Sequence, residues 1–401
     1  MGGYWVALMA SNEDQTVRGT FGMIGVAMKM LMGDPVKYFG LVFGIAFATL
    51  LMSQQASIFV GLLTWGANPV LDVKQAQIWV MDSRVKQADQ GEPISDRALY
   101  RVRSVEGVAW AVPYFRSTAT LKTTQGDIAA VTLVGVDNQS MVGLPQENIA
   151  AAMSAIRGRN AAVLDKNTAH LVWADGRDAV GEIVEINDNR IAIRGMTVSL
   201  TSFSGLPTIY MKYTDALAIT PPQRNKLSFV LVGGEPGVDA AELSKRIGDL
   251  TGYKAQTREE FAAAGTKFII ENTGIPISFG AAIGLGVLVA IVITALTLAM
   301  FVAENLKNFG ALKAIGVTNQ QLLVMVLSQA LLVGFIGYGL GIGGTAAFLH
   351  FGQADPSLRG FKALSEIVFG TGILVAVIVV GSALFSVQKV LRMDPAIVFR
   401  G

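Results

Sequence analysis

Long stretches without a charged residue divide this chain into apolar and mixed regions. Aspartate, glutamate, lysine and arginine are absent from residues 38–71, 272–303, 314–354 and 367–388. Each stretch is longer than the roughly 18–20 apolar residues that a helix needs to cross a bilayer. The pattern therefore predicts four transmembrane helices, at residues 41–63, 275–301, 322–349 and 367–388.

Between the first two predicted spans, residues 66–270 carry most of the charged residues and are numerous enough to bury a core of their own. This insert alternates strand and helix patterns. The predicted strands are 117–123 and 128–136, joined at Gln125-Gly126, then 182–186 and 190–194, joined at Asp188-Asn189, then 227–232. Helices are predicted over 238–250, with Asp239 as its cap, and over 258–271, which runs on into the second span.

Lysine and arginine in the short connecting segments predict the orientation of the spans. On one side lie Arg18, Lys29, Lys37, Lys307, Lys313, Lys389, Arg392 and Arg400. The opposite 350–366 loop has Arg359 and Lys362. Segments 1–40, 302–321 and 389–401 are therefore predicted to be cytoplasmic and the insert extracytoplasmic. The N-terminal segment lacks the basic start of a signal peptide, and residues 20–36 predict an amphipathic helix on the membrane surface.

Composition argues against several classes of site. Of 401 residues, 52% are hydrophobic and 15% are charged, with a net charge of +2 and no cysteine, so nucleic-acid binding and thiolate chemistry are not expected. His170 and His350 are far apart, which argues against a metal site. No G-x-x-x-x-G-K-[ST] motif occurs, so the chain is not predicted to bind nucleotide itself. Gly339-x-Gly341-x-x-Gly344 lies inside a span and is not expected to be a dinucleotide site.

Short motifs accompany this layout. Residues 304–317 read ENLKNFGALKAIGV, residues 392–401 read RMDPAIVFRG, and residues 27–35 read AMKMLMGDP. With one span, a large insert and three closely spaced spans, they resemble the MacB/FtsX-like family of ABC transporter permeases. Glu271-Asn272-Thr273-Gly274-Ile275 is most similar to the DevC branch of that family, the permeases of glycolipid-type exporters.

The resemblance implies an α+β membrane protein of the type VII ABC permease class, with a mixed α/β extracytoplasmic domain between its first two transmembrane helices. It implies a homodimer of permease chains in a bacterial inner membrane. ATP and Mg²⁺ would be bound by a separate ATPase subunit, and this chain would have no cofactor or catalytic residue. A membrane fusion protein and an outer-membrane duct are further expected partners.

The same resemblance implies export of an amphipathic substrate, such as a lipid, glycolipid, peptide or small hydrophobic molecule. An FtsX-like mechanotransmitter that regulates a cell-wall hydrolase is a rival hypothesis, and so is a lipoprotein-releasing permease. A third rival is a membrane-anchored enzyme or sensor whose insert does the work; the sequence shows no catalytic constellation for such an enzyme.

Residues 302–321 are the segment that the resemblance assigns to ATPase coupling. The candidate coupling residues are Glu304, Lys307, Phe309, Gly310, Leu312, Lys313 and Gly316. Glu304 and Lys307 are predicted to share one helical face, whereas Asn305 and Asn308 replace the family's usual arginine and glutamate. Asp394 and Pro395 predict a short tail helix that precedes Arg400. Small-residue pairs predict close helix packing, within one chain or between two, at Gly40/Gly44, Gly280/Gly284 and Gly337/Gly341.

Overall fold

A computed structural model of the chain describes residues 35–145, 149–173, 178–222, 226–353 and 364–391, together with Gly25, Glu147 and Phe361. Most of the predicted N-terminal amphipathic helix, nearly all of the 27–35 motif, and the tail residues Asp394, Pro395 and Arg400 lie outside these residues.

The helices, in chain order, are α1 (Pro35–Leu71), α2 (Arg97–Arg103), α3 (Ile149–Ile156), α4 (Tyr213–Ala218), α5 (Ala240–Thr251), α6 (Arg258–Asn272), α7 (Ile275–Glu304), α8 (Leu306–Ala314), α9 (Asn319–Gly352) and α10 (Ser365–Leu391). The strands are β1 (Ile78–Met81), β2 (Val108–Lys122), β3 (Ile128–Val136), β4 (Ala161–Asp165), β5 (Ile183–Ile186), β6 (Asn189–Thr197), β7 (Thr208–Lys212), β8 (Phe229–Gly234) and β9 (Lys254–Thr257). The described residues form two compact units, a helical unit and an α/β unit that comprises Val60–Pro276.

Within the described residues, α1, α7, α9 and α10 are the helices long and apolar enough to cross a membrane. Each contains one predicted span. α1 extends furthest beyond its prediction because Ala67 and Val70, in its last turns, are buried in a core of the α/β unit. The start of α9 is fixed by Thr318, whose side chain and that of Gln321 cap each other's backbone amides.

One part of the α/β unit is an antiparallel sheet with strand order β9-β1-β8-β2. Helix α2 joins β1 to β2 and α5 joins β8 to β9, which is the arrangement of a ferredoxin-like fold. Alternate residues of β1 face opposite sides of the sheet. Ile78 and Val80 pack in a core that includes Leu243 of α5, whereas Trp79 packs against Phe261 of α6. Both faces of this sheet are therefore buried.

The second part is a small barrel inserted between β2 and β8. Strand β2 belongs to both parts, since its first half pairs with β8 and its second half pairs with β3. Hydrogen bonds close the ring in the order β2-β3-β7-β4-β6-β5 and back to β2. Buried apolar side chains of these strands fill the interior, among them Phe115, Leu121, Leu133, Leu164 and Ile193.

Both predicted hairpins are present, but one turn was placed a residue too late. Strands β2 and β3 pair around the Gln125-Gly126 turn as predicted. In the second hairpin Ile186 pairs with Asn189, so the turn is Asn187-Asp188 rather than Asp188-Asn189. Both turn residues have positive φ, 46° and 63°, as a type I′ turn requires. Asparagine and aspartate tolerate this conformation better than most residues.

The predicted helix over 238–250 is confirmed as α5, and Asp239 accepts hydrogen bonds from two of its first amides. The predicted helix over 258–271 is confirmed as α6, but it does not run on into the second span. Thr273 is extended and ends α6, and its hydroxyl bonds Ile269 O (2.6 Å) and the amide of Ile275, the first residue of α7 (3.3 Å). A capping hydroxyl therefore separates α6 from α7.

Candidate functional site

The segment between the second and third spans forms a helix of its own, α8. The prediction that Glu304 and Lys307 share one helical face was wrong, because α7 ends at Glu304 and α8 starts at Leu306. Asn305 makes the break: its side chain donates to Phe301 O (2.9 Å) and accepts from the Asn308 amide (3.0 Å). The two asparagines that depart from the family pattern thus bond to each other at this corner.

Helix α8 is attached to the helical unit on one side. Phe309 is completely buried among side chains of the unit's core, and Gly310 beside it is buried as well. Leu312 packs against the same core. The Lys313 ammonium donates to the carbonyl of Leu391, the last residue of α10, at 3.1 Å. Helix α8 is therefore attached both to the packed helices and to the end of α10.

The opposite side of α8 is a surface that sequence reasoning identified only in part. Lys307, Asn308 and Ala311 are exposed, and Ile315 is 79% exposed. Gly316 follows with a φ of +102°, which glycine adopts without strain and which ends the segment. Ile315 thus exposes an apolar side chain at the end of the segment. We call Lys307, Asn308, Ala311 and Ile315 the α8 surface.

Three of the six candidate packing glycines contact a neighbouring helix, and all three involve α1. A Cβ at Gly341 of α9 would lie 2.5 Å from Thr49 Cβ and 2.6 Å from Ala46 O, and one at Gly337 would lie 2.8 Å from Ile45 Cβ. A Cβ at Gly44 would overlap the Ile293 side chain of α7. The remaining candidates have no neighbour within 4 Å in the described structure: Gly40, Gly280 and Gly284.

The contact between α1 and α9 also has polar bonds that the sequence reasoning missed. The Ser53 and Thr345 hydroxyls are buried and 2.6 Å apart, and the Thr345 hydroxyl donates to Leu50 O at 3.3 Å. Interhelical hydroxyl pairs of this kind stabilise helix contacts where water is absent. Their sequence signal is the spacing of Ser53 and Ser57, and of Gly341 and Thr345, by four residues.

The last turns of α1 pack against α6 within the α/β unit. Gly66 and Gly265 bring the two backbones together so closely that a Cβ at Gly265 would overlap Gly66 O. The Thr266 hydroxyl donates to Leu63 O at 3.2 Å. Both helices cover the Trp79 face of the four-stranded sheet. The chain thus ties the segment that follows the first span to the segment that precedes the second.

The α/β unit also contains a buried charge cluster. Arg116 is 4% exposed and its guanidinium binds Asp89 Oδ1 at 2.5 and 3.1 Å. Burial raises the pKa of Asp72 to about 7, and burial likewise raises the pKa of Asp165. Among the described residues no group of three histidine, cysteine or carboxylate side chains is placed to hold a metal ion. Burial of these charges makes the cluster an electrostatic feature of the domain.

Family models match most of the chain. Residues 38–250 match the MacB-like periplasmic core domain, and residues 280–395 match the FtsX-like permease C-terminal domain. No curated protein matches the chain.

Solved structures similar to this chain cover about half of it. The extracellular domain of the noncanonic ABC-type transporter YknZ from Gram-positive bacteria is 16% identical, with a TM-score of 0.31 over 45% of this chain and 98% of that one. The periplasmic region of MacB from Actinobacillus actinomycetemcomitans is 15% identical, with a TM-score of 0.34 over 51% and 96%. A domain of a putative permease from Porphyromonas gingivalis is 15% identical, with a TM-score of 0.31 over 47% and 91%.

Proposed function

Because this chain belongs to the MacB/FtsX-like family of ABC transporter permeases, we propose that it couples a separate ATPase to export of an amphipathic substrate. Closure of the ATPase moves the transmembrane helices, and these change the shape of an extracytoplasmic α/β unit. The proposal places two permease chains and two ATPases in a bacterial inner membrane, with both termini cytoplasmic.

The observation that carries this proposal is the two-sided character of α8. Its inner side is fixed by the buried Phe309 ring and the bond from Lys313 to Leu391 O. Its outer side is the α8 surface, with Ile315 available to a partner. A connector that only returned the chain to the membrane would need neither feature. Such a helix transmits a push from a bound subunit to the spans.

The path away from α8 consists of closely packed helices. Gly337 and Gly341 let α9 approach the α1 backbone, and the Ser53–Thr345 bond fixes their register. Tight packing transmits displacement because packed interiors deform little. α1 continues to Leu71 and enters the α/β unit, where Gly66 meets Gly265 of α6. The spans therefore act as levers on the extracytoplasmic unit.

The proposed substrate class comes from the family resemblance, and the composition of the spans argues against an ion-driven transporter. The four charge-free stretches provide no carboxylate or ammonium group for an ion-driven pathway through the bilayer. An amphipathic molecule handled at the extracytoplasmic unit needs no such pathway. The DevC-like motif at 271–275, which forms the α6–α7 junction, favours a lipid or glycolipid cargo.

Reconstitution tests the coupling claim. The full chain and its ATPase are placed together in lipid nanodiscs, and ATP hydrolysis is compared with that of each protein alone. We expect no hydrolysis by the chain alone and a several-fold stimulation of the ATPase by the wild-type chain. Deleting residues 305–312 should abolish the stimulation while the chain still inserts. Stimulation that survives this deletion would show that α8 is not the coupling element.

The FtsX-like match over residues 280–395 supports a second candidate, a mechanotransmitter that regulates a cell-wall hydrolase. It uses the same α8 and the same levers, so ATPase stimulation does not separate the two functions. The protein captured by the α/β unit does separate them. A membrane fusion protein with an outer-membrane duct would favour export, and a hydrolase or its adaptor would favour mechanotransmission.

A further inference from the structure

The segment between β6 and β7, residues 198–207, is held mainly by side chains. We call it the β6–β7 loop. Most of its fixed backbone groups bond to carboxylates or carboxamides from other parts of the α/β unit. Since β6 and β7 both pair with β4 in the barrel, a displacement of this loop acts on two barrel strands at once.

Two residues at the end of α1 form hydrogen bonds with consecutive residues of the loop. We call this pair of bonds the grip. The Asp72 carboxylate accepts a hydrogen bond from the Leu200 amide at 2.7 Å. The Asn68 amide donates to the neighbouring Thr201 carbonyl, also at 2.7 Å. A donor in the last turn of α1 and an acceptor directly after it, four residues apart, thus match an acceptor and a donor on adjacent loop residues. This pairing fixes both the position and the direction of the loop backbone.

The loop is bound to the barrel from its other side. Asp165, at the end of β4, accepts from the Ser199 amide at 2.9 Å, and Asn167 donates to Ser199 O at 3.0 Å. Asp89, the partner of the buried Arg116, accepts from the Ser204 amide at 3.2 Å. The loop therefore lies between the end of α1 and the barrel, with hydrogen bonds to both.

We propose that Asn68 and Asp72 are positioning residues that pass displacement of α1 to the barrel through the β6–β7 loop. The inference rests on the proposed function, in which α1 moves as a lever. It names the contacts through which that movement reaches the barrel. Movement of α1 also reaches the four-stranded sheet through Ala67 and Val70, and it reaches the barrel through β2 and through the core that these two residues share with Val134 and Tyr210. The grip adds a direct polar connection to these apolar contacts.

The surroundings of Asp72 make this grip sensitive to pH. Burial dominates its raised pKa of about 7 and the Asp165 charge adds to the shift, while the Leu200 amide, Arg116 and Lys74 oppose it. Tyr114 and Tyr210 complete the set of titratable groups that interact with this carboxylate. With the loop open, water returns the pKa towards its usual value of about 3.9. The closed loop therefore binds more protons, and raising the pH from about 4 through 7 favours opening.

Hydrogen exchange of the full chain in nanodiscs tests the grip. Asp72→Ala and Asn68→Ala should each raise exchange in residues 199–204 by about tenfold, as expected for loss of one hydrogen bond. Asp72→Asn keeps an acceptor, so it should retain protection while reducing the rise in exchange between pH 5.5 and 7.5. Asp137→Ala is the matched control, because Asp137 accepts from the backbone amides of Gln139 and Ser140 in a different loop, the one that follows β3. It should leave residues 199–204 unchanged.

A distance measurement tests the transmission. The chain has no cysteine, so spin labels at Gln125→Cys and Lys245→Cys report movement of the barrel relative to α5. With the ATPase present, trapping the nucleotide should change this distance in the otherwise wild-type chain. Asp72→Ala should suppress the change and leave ATPase stimulation intact, because α8 is untouched.

The outcomes separate this inference from the proposed function. Equal movement in wild type and Asp72→Ala, or unchanged exchange in residues 199–204, would overturn the grip while coupling stands. An identical pH response in wild type and Asp72→Asn would overturn the role of Asp72. Absence of any ATPase stimulation by the wild-type chain would overturn the proposed function, and the transmission role with it.

Discussion

Phe309 and Ile315 show how one short helix divides its apolar side chains between a core and a surface. Sequence reasoning placed Phe309 among the coupling residues without assigning it to either side of the helix, because a motif records which residues recur and not which way they point. The structure buries Phe309 and exposes Ile315, which the candidate set omitted. Lys313 was included for its charge, yet its ammonium bonds the end of α10. At the scale of residues, the sequence predicted the segment but not its inner and outer sides.

Ile315→Glu tests the α8 surface. The substitution places a charge on an exposed position, so folding should be unaffected, and ATP hydrolysis should fall to near the rate of the ATPase alone through loss of an apolar contact. Leu250→Glu is the matched control, because Leu250 is 68% exposed on α5 and should tolerate glutamate without loss of stimulation. Equal stimulation by both variants would remove Ile315 from the contact.

At the scale of elements, the sequence predicted what short-range patterns determine. Charge-free runs predicted the spans, and Asp239 predicted the start of α5. The break between α6 and α7 was missed because it depends on the Thr273 hydroxyl, which donates to Ile269 O in α6 and accepts from the amide of Ile275 in α7. Spacing alone did not separate glycines that meet a helix, such as Gly341, from those that meet none, such as Gly280.

Glycine substitutions on α9 test the contact with α1. Gly341→Leu forces a side chain against Thr49 and the Ala46 carbonyl, and overpacking of this kind costs about 1–3 kcal/mol. The free energy of unfolding, measured by denaturant titration in mild detergent, should fall by that amount. Gly339→Leu is on the same helix with no neighbour within 4 Å, so it should leave stability unchanged or slightly higher. Equal effects of the two variants would contradict the observed packing.

The junction of α1 and α6 provides a second test at this scale. Gly265→Val should destabilise the α/β unit, because its backbone lies against that of Gly66. Ala263→Val, two residues away on an exposed position of the same helix, should have little effect. Thermal unfolding of the full chain in detergent measures the difference. If both variants unfold at the same temperature as the wild type, this contact does not hold α6 against α1.

At the scale of the whole molecule, the layout of one helix, an α/β unit and three helices was predictable. Charge-free stretches mark the long helices, and the charged stretch between the first two marks the α/β unit. The barrel was not, since its closure depends on pairings between distant strands, such as β3 with β7 and β2 with β5. A register between remote strands leaves no local pattern. The shared strand β2, which joins sheet and barrel, was predicted only in its second half.

Introduced cysteines test the orientation of the whole molecule. Gln125→Cys, in the β2–β3 turn, should react with a membrane-impermeant thiol reagent from outside intact spheroplasts. Asn319→Cys, at the start of α9, should react only after lysis. Both positions are exposed, so access to each reflects sidedness rather than burial. The reverse labelling would place the α/β unit in the cytoplasm and contradict the orientation.

The most direct test of the central claim is to purify the tagged chain in mild detergent from its native host and identify its partners by mass spectrometry. The account predicts that a P-loop ATPase copurifies in near-equal amount with the wild-type chain and is strongly depleted with Ile315→Glu. Absence of any ATPase from the wild-type complex, in a host that expresses the ATPase, would contradict the claim that this chain is a permease subunit driven by a separate ATPase.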